Sequence, residues 1–463
     1  MIVDAETVKE VDGRILGKLI NKRAEDTARL IKLKDYYLGK HDVLYRRPKG
    51  KGLPNNKTVC NHAKYIVDMT QGYLLGAPIA YSASDGIDIG PLKEAYFESE
   101  IQNTDSRIVR DMSIYGHSYE LVYANEDSKP KSAVLEPRQA FIVYDDTVEQ
   151  RKLFGVHYYT ITDIDGLEVG KVANVYTENE VIKYRSTGGG SVYEEIERTA
   201  HSFGRVPMIE YINNEDKQGD FEQLIGLIDA YNTLMSDRVN DKEQFVDAIL
   251  FLKNIEVDSE KAKELLTEKI MMSFTPDAEA KYLQKVLNET DVEILRNNIK
   301  DDLHKFSLTP DLTDENFGNN LSGVAIRYKL LGFEQHVKNK ERFLVLGLKE
   351  RFDLYVHYLS LLSRMSVVSS GDVDFIFNRN LPENNLELAQ TINYLRGLVS
   401  DETLLEQLDF VSDSAEEMEL VEKQEESRVE REIKREELYR KSTGADYTCL
   451  LYTSPSPRDP KTS

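Results

Sequence analysis

FEQLIGLIDAYNTLMSDRVNDKEQFVDAILFLKN, residues 221–254, is the stretch on which the reading of this chain turns. Phe221, Leu224, Ile225, Ile228, Tyr231 and Met235 recur at helical spacing, and Val246, Ile249 and Leu250 resume the stripe. Between them, Ser236 to Gln244 is polar apart from Val239. The pattern predicts one long helix that turns polar midway. Such a helix is poorly covered by its own chain, so it needs neighbours or faces water.

Upstream, residues 1–40 read as helix, followed by a basic loop, RRPKGKGLPNNK (46–57), expected to be mobile and on the surface. In NHAKYIVDMTQGYLLGAPIAYSASDG (61–86), Asn61 can cap a helix whose apolar stripe is Ala63, Ile66, Val67, Thr70, Tyr73 and Leu74. Gly76 is expected to end it in the left-handed conformation, Pro78 forbids continuation, and Ile79–Ser82 reads as strand. A helix around Ser106–Tyr115 should stop at Gly116. Strands are expected at Ser118–Tyr123, Ser132–Leu135, Phe141–Tyr144, Leu153–Ile161, Lys171–Tyr176 and Val181–Arg185.

Downstream, 255–287 reads as strand, short helix (Ser259–Glu268) and two further strands, Ile270–Phe274 and Ala280–Leu283. Thr290–Phe306 is helical and Pro310 closes it. LTDENFGNNLSG (312–323) has few apolar anchors. A second very long helix, about Leu321–Leu362, follows, with Leu344, Leu348, Tyr355, Leu359 and Leu362 in its stripe. Val373–Phe377 reads as strand. Residues 401–440 hold fifteen acids and six bases, the pattern of a solvated helix or coiled coil.

The 463 residues carry a net charge of −22, which argues against a nucleic-acid binder with a wrapping basic face. Acids in the first fourteen residues speak against an export signal, and no apolar run approaches the length of a membrane span. Two cysteines, Cys60 and Cys449, give no disulfide framework and fit a reducing compartment. The eight histidines show no zinc-ligand spacing, and no phosphate-loop, GxSxG or HExxH motif occurs. No cofactor is expected. The acids in DDTVEQRK (145–152) and SDGID (84–88) fall between strands, where turns favour Asp.

The order of these strings resembles the portal proteins of tailed bacteriophages, of the siphophage type with wing, stem, clip and crown. NHAKYIVDMTQGYLLGAPIAY, DMSIYGHSYELVY (111–123) with EPRQAFIVYDD (136–146), and GLIDAYNTLMSDRVNDKEQFVDAILFLK (226–253) carry it. So do NLSGVAIRYKLLGFEQHVKNKERFLVLGLKER (320–351) and NRNLPENNLELAQTINYLRGLVSDETLLEQL (378–408). It covers about residues 5–440. CLLYTSPSPRD (449–459) departs from it and reads like translated sequencing adapter, so 447–463 is expected to be an artefactual or disordered tail.

The resemblance implies an α+β, multidomain portal fold: an α/β wing, long stem helices, a small α/β clip and a helical crown. Residues 1–219 would begin the wing, 220–254 form a stem helix, 255–287 the clip and 288–311 the returning stem helix. Residues 312–320 would be the tunnel loop, 321–379 the long wing helix and strand, and 380–446 the crown. It implies a non-enzymatic ring of identical subunits, usually twelve, at one capsid vertex of the virion, assembled in the host cytoplasm. Double-stranded DNA would pass through it inward and outward. The implied partners are other copies of the chain, the terminase large subunit, a head-completion or connector protein, and the major capsid and scaffolding proteins, with no membrane. The channel residues would be Asn316, Phe317, Gly318, Asn319 and Asn320 in the loop, with Lys300, His304 and Lys305 on the returning helix. Lys300 and Lys305 would give weak phosphate contacts in a mostly repulsive wall, or else occupy a solvated face with local ion pairs. Two other readings stand beside this: a metal-dependent nucleic-acid enzyme using scattered carboxylates, or another head-morphogenesis or decayed prophage protein.

Overall fold

The computed structural model describes residues 1–443 apart from 9–10, 51–52, 85, 187–191, 247–248, 254–269, 274–278, 284–288, 314–322, 380–384, 406, 409–410 and 412–413. Residues 314–320 of the expected tunnel loop, the short helix at 259–268 and the 447–463 tail therefore lie outside the described residues. Contacts divide the chain into two units, Met1–Pro382 and Glu383–Ser463.

The first unit mixes helices with mainly antiparallel sheets, an α+β fold. It opens with α1 (Gly13–Tyr37), capped by the Asp12 carboxylate accepting from the amides of Arg14 and Ile15. Next comes α2 (His62–Leu74), where the Asn61 side chain accepts from the Lys64 amide. The buried residues of α2 are Ala63, Ile66, Val67, Thr70, Tyr73 and Leu74, the stripe expected from spacing. Its end differs from expectation: Leu75 is the cap and Gly76 is not left-handed. Strand β1 (Ala80–Ala83) follows, then α3 (Gly90–Glu98) and α4 (Ile101–Tyr115). Gly116 ends α4 at φ 84°, and a Cβ there would lie 1.9 Å from the Lys217 carbonyl oxygen. Only glycine meets both demands.

Strands β2 (His117–Ala124) and β3 (Pro130–Leu135) pair antiparallel. A five-stranded antiparallel sheet is built in sequence order from β4 (Ala140–Tyr144), β5 (Lys152–Thr162), β6 (Glu168–Tyr176), β7 (Glu180–Ser186) and β8 (Glu194–Ala200). It packs on α1 through Leu16, Leu19, Ile20, Phe141, Phe154, Val156 and Val175. β9 (Met208–Ile212) returns to the other edge of β2.

Helix α5 spans Ile225–Val246, and the chain then becomes strand β10 (Ile249–Lys253). This corrects the single helix expected over 220–254. β10 is the middle of a three-stranded sheet, parallel to β11 (Ile270–Ser273) and antiparallel to β12 (Glu279–Leu283). Ile249, Leu250, Phe251 and Leu252 form a short continuous apolar run. Such a run fits a helix stripe and a central strand equally well until its pairing partners are known.

Helix α6 (Glu289–Ser307) and helix α7 (Gly323–Leu361) follow, then β13 (Val373–Ile376), which pairs antiparallel with β1. The buried row of α7 runs through Leu330, Phe333, Val337, Lys340, Leu344, Leu348, Phe352, Tyr355 and Leu359. Leu362, expected in that row, lies beyond the helix end and is exposed. Two buried cations fasten α7. Arg351 donates from Nε to both Glu120 oxygens (2.9 and 2.9 Å) and from Nη1 to Asp105 (2.6 Å), while the Tyr211 hydroxyl donates to Glu120 (2.5 Å). Lys340 donates to Asp220 (2.5 Å) and to the Ser113 hydroxyl (2.6 Å). Gly347 lets the helix approach β9, since a Cβ there would lie 2.4 Å from the Tyr211 ring.

The second unit, among its described residues, contains α8 (Asn385–Leu395), the short α9 (Asp401–Leu405) and α10 (Ser414–Thr443).

Candidate nucleic-acid interface

The expected channel residues begin on α6, so its two sides decide what it can do. Its inner side, Ile299 and Leu303, joins a core with Ala63, Ile66 and Val67 of α2 and Ile225, Ile228 and Tyr231 of α5. Lys242 of α5 pairs with Glu289 at the start of α6.

The polar half of α5 has a different solution from the one expected. Asn232, Ser236 and Asn240 are buried, four residues apart on one face. Residues 56–60 lie along that face. Amides of Asn56, Thr58 and Cys60 donate to Asn240 Oδ1 (2.7 Å), Ser236 Oγ (2.9 Å) and Asn232 Oδ1 (2.8 Å). Asn232 also donates to His41 Nδ1 (2.7 Å), which fixes the His41 tautomer so that Nε2 donates to the Tyr36 carbonyl (2.9 Å). Arg46 and Lys49 pair with Asp237. The basic loop, expected to be mobile, is thus strapped onto α5 over its described residues. The strap covers the polar stretch that seemed to require a neighbour.

On the outer side of α6, apolar side chains stay exposed. Ile294 is 53% exposed, Leu295 49% and Phe306 60%. At 100° per residue they share one face with Asn298, Asp301, Asp302 and Lys305. Lys305 is the only cation on that face of α6.

Lys300 and His304 turn the other way. Lys300 Nζ donates to Asp311 Oδ2 at 3.0 Å. His304 Nδ1 lies 3.0 Å from the Thr309 carbonyl, which can only accept, so Nδ1 carries the proton, and Nε2 faces Asp311 Oδ2 at 3.9 Å. Burial raises the Asp311 pKa. Hydrogen bonds from the Thr313 hydroxyl and amide, and from Lys300, with the His304 charge, outweigh that and hold it at about 2. His62, edge-on to His304 at 6.1 Å between ring centroids, is lowered to about 4 by burial and then by His304. The structure therefore separates the three helix residues: Lys305 is outward, while Lys300 and His304 serve an internal cluster. Asn316, Phe317, Gly318, Asn319 and Asn320 lie outside the described residues. Sequence reasoning missed Asp311 and His62. The Asp-Leu-Thr of 311–313 was the available signal, since Asp two residues before Thr favours a side-chain-closed turn.

Among the described residues no three His, Cys, Asp or Glu side chains gather as a metal site. No described helix is long and apolar enough to cross a membrane. Long helices joined to small, mainly antiparallel sheets define an α+β fold. The family model "Phage portal protein, SPP1 Gp6-like" matches residues 16–431, and the chain belongs to that family. The portal protein of Bacillus phage SPP1 is 25% identical over 462 residues, covering 92% of this chain and 88% of the relative. The portal protein of Clostridium phage phiCD119 is 23% identical over 427 residues, covering 85% and 92%. The family is a structural, non-enzymatic component of the phage virion.

Proposed function

We propose that this chain forms the ring-shaped portal at one capsid vertex, the channel through which double-stranded DNA is packaged and later ejected. The observation that carries this reading is the exposed apolar set Ile294, Leu295 and Phe306 on a helix whose other side packs into the α2–α5 core through Ile299 and Leu303. A closed ring of identical subunits offers such a set a partner without leaving an open end. Similarity over 88% of the SPP1 portal protein supports it.

In this reading α5 and α6 are the stem, the β10–β12 sheet belongs to the clip, residues 1–219 with α7 and β13 are the wing, and residues from about 380 the crown. The clip docks the terminase motor during packaging and a connector afterwards, and capsid and scaffolding proteins surround the wing. Asn316 to Asn320 offer neutral contacts to passing phosphate and sugar. On the outer face of α6, Lys305 stands among Asp301 and Asp302, so a phosphate meets a weak attraction inside a repulsive wall. Hydrolysis of nucleotide belongs to the separate motor.

Negative-stain imaging of the purified chain should show rings, usually of twelve subunits, and Ile294→Asp with Leu295→Asp should leave single subunits. A chain that stays monomeric at every concentration and salt would overturn the reading. Replacing residues 314–320 by a Gly/Ser linker should preserve rings and stop packaging.

A further inference from the structure

Residues 307–313, between α6 and the segment leading to α7, are fixed from several directions. Leu308 sits in the left-handed region at φ 56°, a conformation unfavourable for a residue that carries a side chain. Strain of this kind persists only where the surroundings over-determine the backbone. Here they do. Ser307 and Thr309 are buried, and the Thr309 amide donates to Ser307 Oγ at 3.2 Å. The Thr309 carbonyl accepts from His304, and Asp311 accepts from Lys300 (3.0 Å), the Thr313 amide (3.0 Å) and the Thr313 hydroxyl (2.6 Å). One further contact comes from far away in sequence. The Tyr65 hydroxyl on α2 donates to the Pro310 carbonyl at 2.8 Å and accepts from the Leu312 amide at 3.4 Å, bridging the turn from outside. The Tyr65 ring also stands edge-on to His304, 5.7 Å between centroids.

We infer that Tyr65 and Asp311 are positioning residues: together they clamp the 307–313 elbow to α2, so that the chain leaves α6 from a fixed point on the subunit. Neither residue needs to touch DNA. Tyr65 reads the backbone on both sides of Asp311, and Asp311 ties that backbone to Lys300 on α6. The clamp itself stands on the contacts above. Its consequence for DNA passage rests on the portal reading.

The test uses the full chain as Tyr65→Phe, Asp311→Asn and the double variant. Tyr65→Phe keeps the ring and its packing, so it guards against a folding failure in the carboxylate variant. Amide exchange is followed at Leu312 and Thr313, beside thermal unfolding, ring imaging and DNA packaging. Tyr65→Phe should speed exchange at Leu312 and Asp311→Asn at Thr313, each by about tenfold, the scale of one lost hydrogen bond. Unfolding temperature and rings should be nearly unchanged, and packaging should fall at least as much as exchange rises. The double variant should exceed either single by less than the product of the two, because both act on one elbow. Unchanged exchange in both singles would overturn the clamp. Faster exchange with normal packaging in intact rings would overturn its role in DNA passage. Absence of rings from the unsubstituted chain would instead count against the portal reading, and the exchange result would still decide the clamp.

Discussion

Helices α5 and α6 lie side by side and break opposite expectations. A polar face of α5, Asn232, Ser236 and Asn240, is buried, while apolar residues of α6 face solvent. Residue type therefore does not say which side of a helix is covered. What decides is whether a covering segment can satisfy the groups it meets. The 56–60 strap brings backbone amides, which need acceptors, to a face that offers Asn240, Ser236 and Asn232. Ile294, Leu295 and Phe306 of α6, by contrast, stay about half exposed. The first helix is completed within the subunit, and the second is the one that the proposed ring would cover with an identical neighbour.

Four variants test that contrast. The strongest test of the covered side is Arg351→Met, which keeps volume but strands Asp105 and Glu120 in the core. It should cost about 3–5 kcal/mol of subunit stability in denaturant unfolding. Glu210 comes next. Burial raises its pKa, but Lys217 and the hydroxyl of Tyr144 outweigh that and hold it at about 2. Because the folded value lies below the unfolded one, the contribution is present above the unfolded pKa and is lost as pH falls from about 4.5 to about 2. It amounts to about 3 kcal/mol, and Glu210→Gln should flatten the acid limb of a stability–pH curve by that much. Asn232→Ala leaves the Cys60 amide and His41 Nδ1 without partners, at about 1–3 kcal/mol, with faster exchange at Cys60. The smallest effect on the subunit should come from Ile294→Asp with Leu295→Asp, within about 0.5 kcal/mol for each exposed site. That pair should nonetheless abolish rings. A large loss of subunit stability would show that the α6 face is already covered.

Much of the fold was readable in advance where a pattern had one interpretation. The α2 stripe, its Asn61 cap and the Gly116 stop match because period, cap and left-handed glycine agree. Two strands went unread. Glu194–Ala200 is exposed throughout, so it shows no alternation, and Met208–Ile212 is a short apolar run just after Pro207. β10 was misread for a related reason: its partners lie at 270–273 and 279–283, beyond any local window. At the candidate interface, spacing placed Lys300, His304 and Lys305 on one helix. It could not reveal that Asp311 draws the first two inward, because that depends on a turn eleven residues after Lys300. The burial of Asn232, Ser236 and Asn240 was equally invisible, since nothing local marks them as acceptors for residues 56–60.

The strap on α5 also carries its own length limit. Four residues of helix advance about 6.0 Å, and two residues of extended chain about 6.6 Å. The two rulers slip by about 0.6 Å per rung, so three rungs can share the error through side-chain tilt, whereas six would be out of step by about 3 Å. A helix can borrow a strand-like partner only briefly, and any insertion between Asn56 and Cys60 would throw the vernier off its marks.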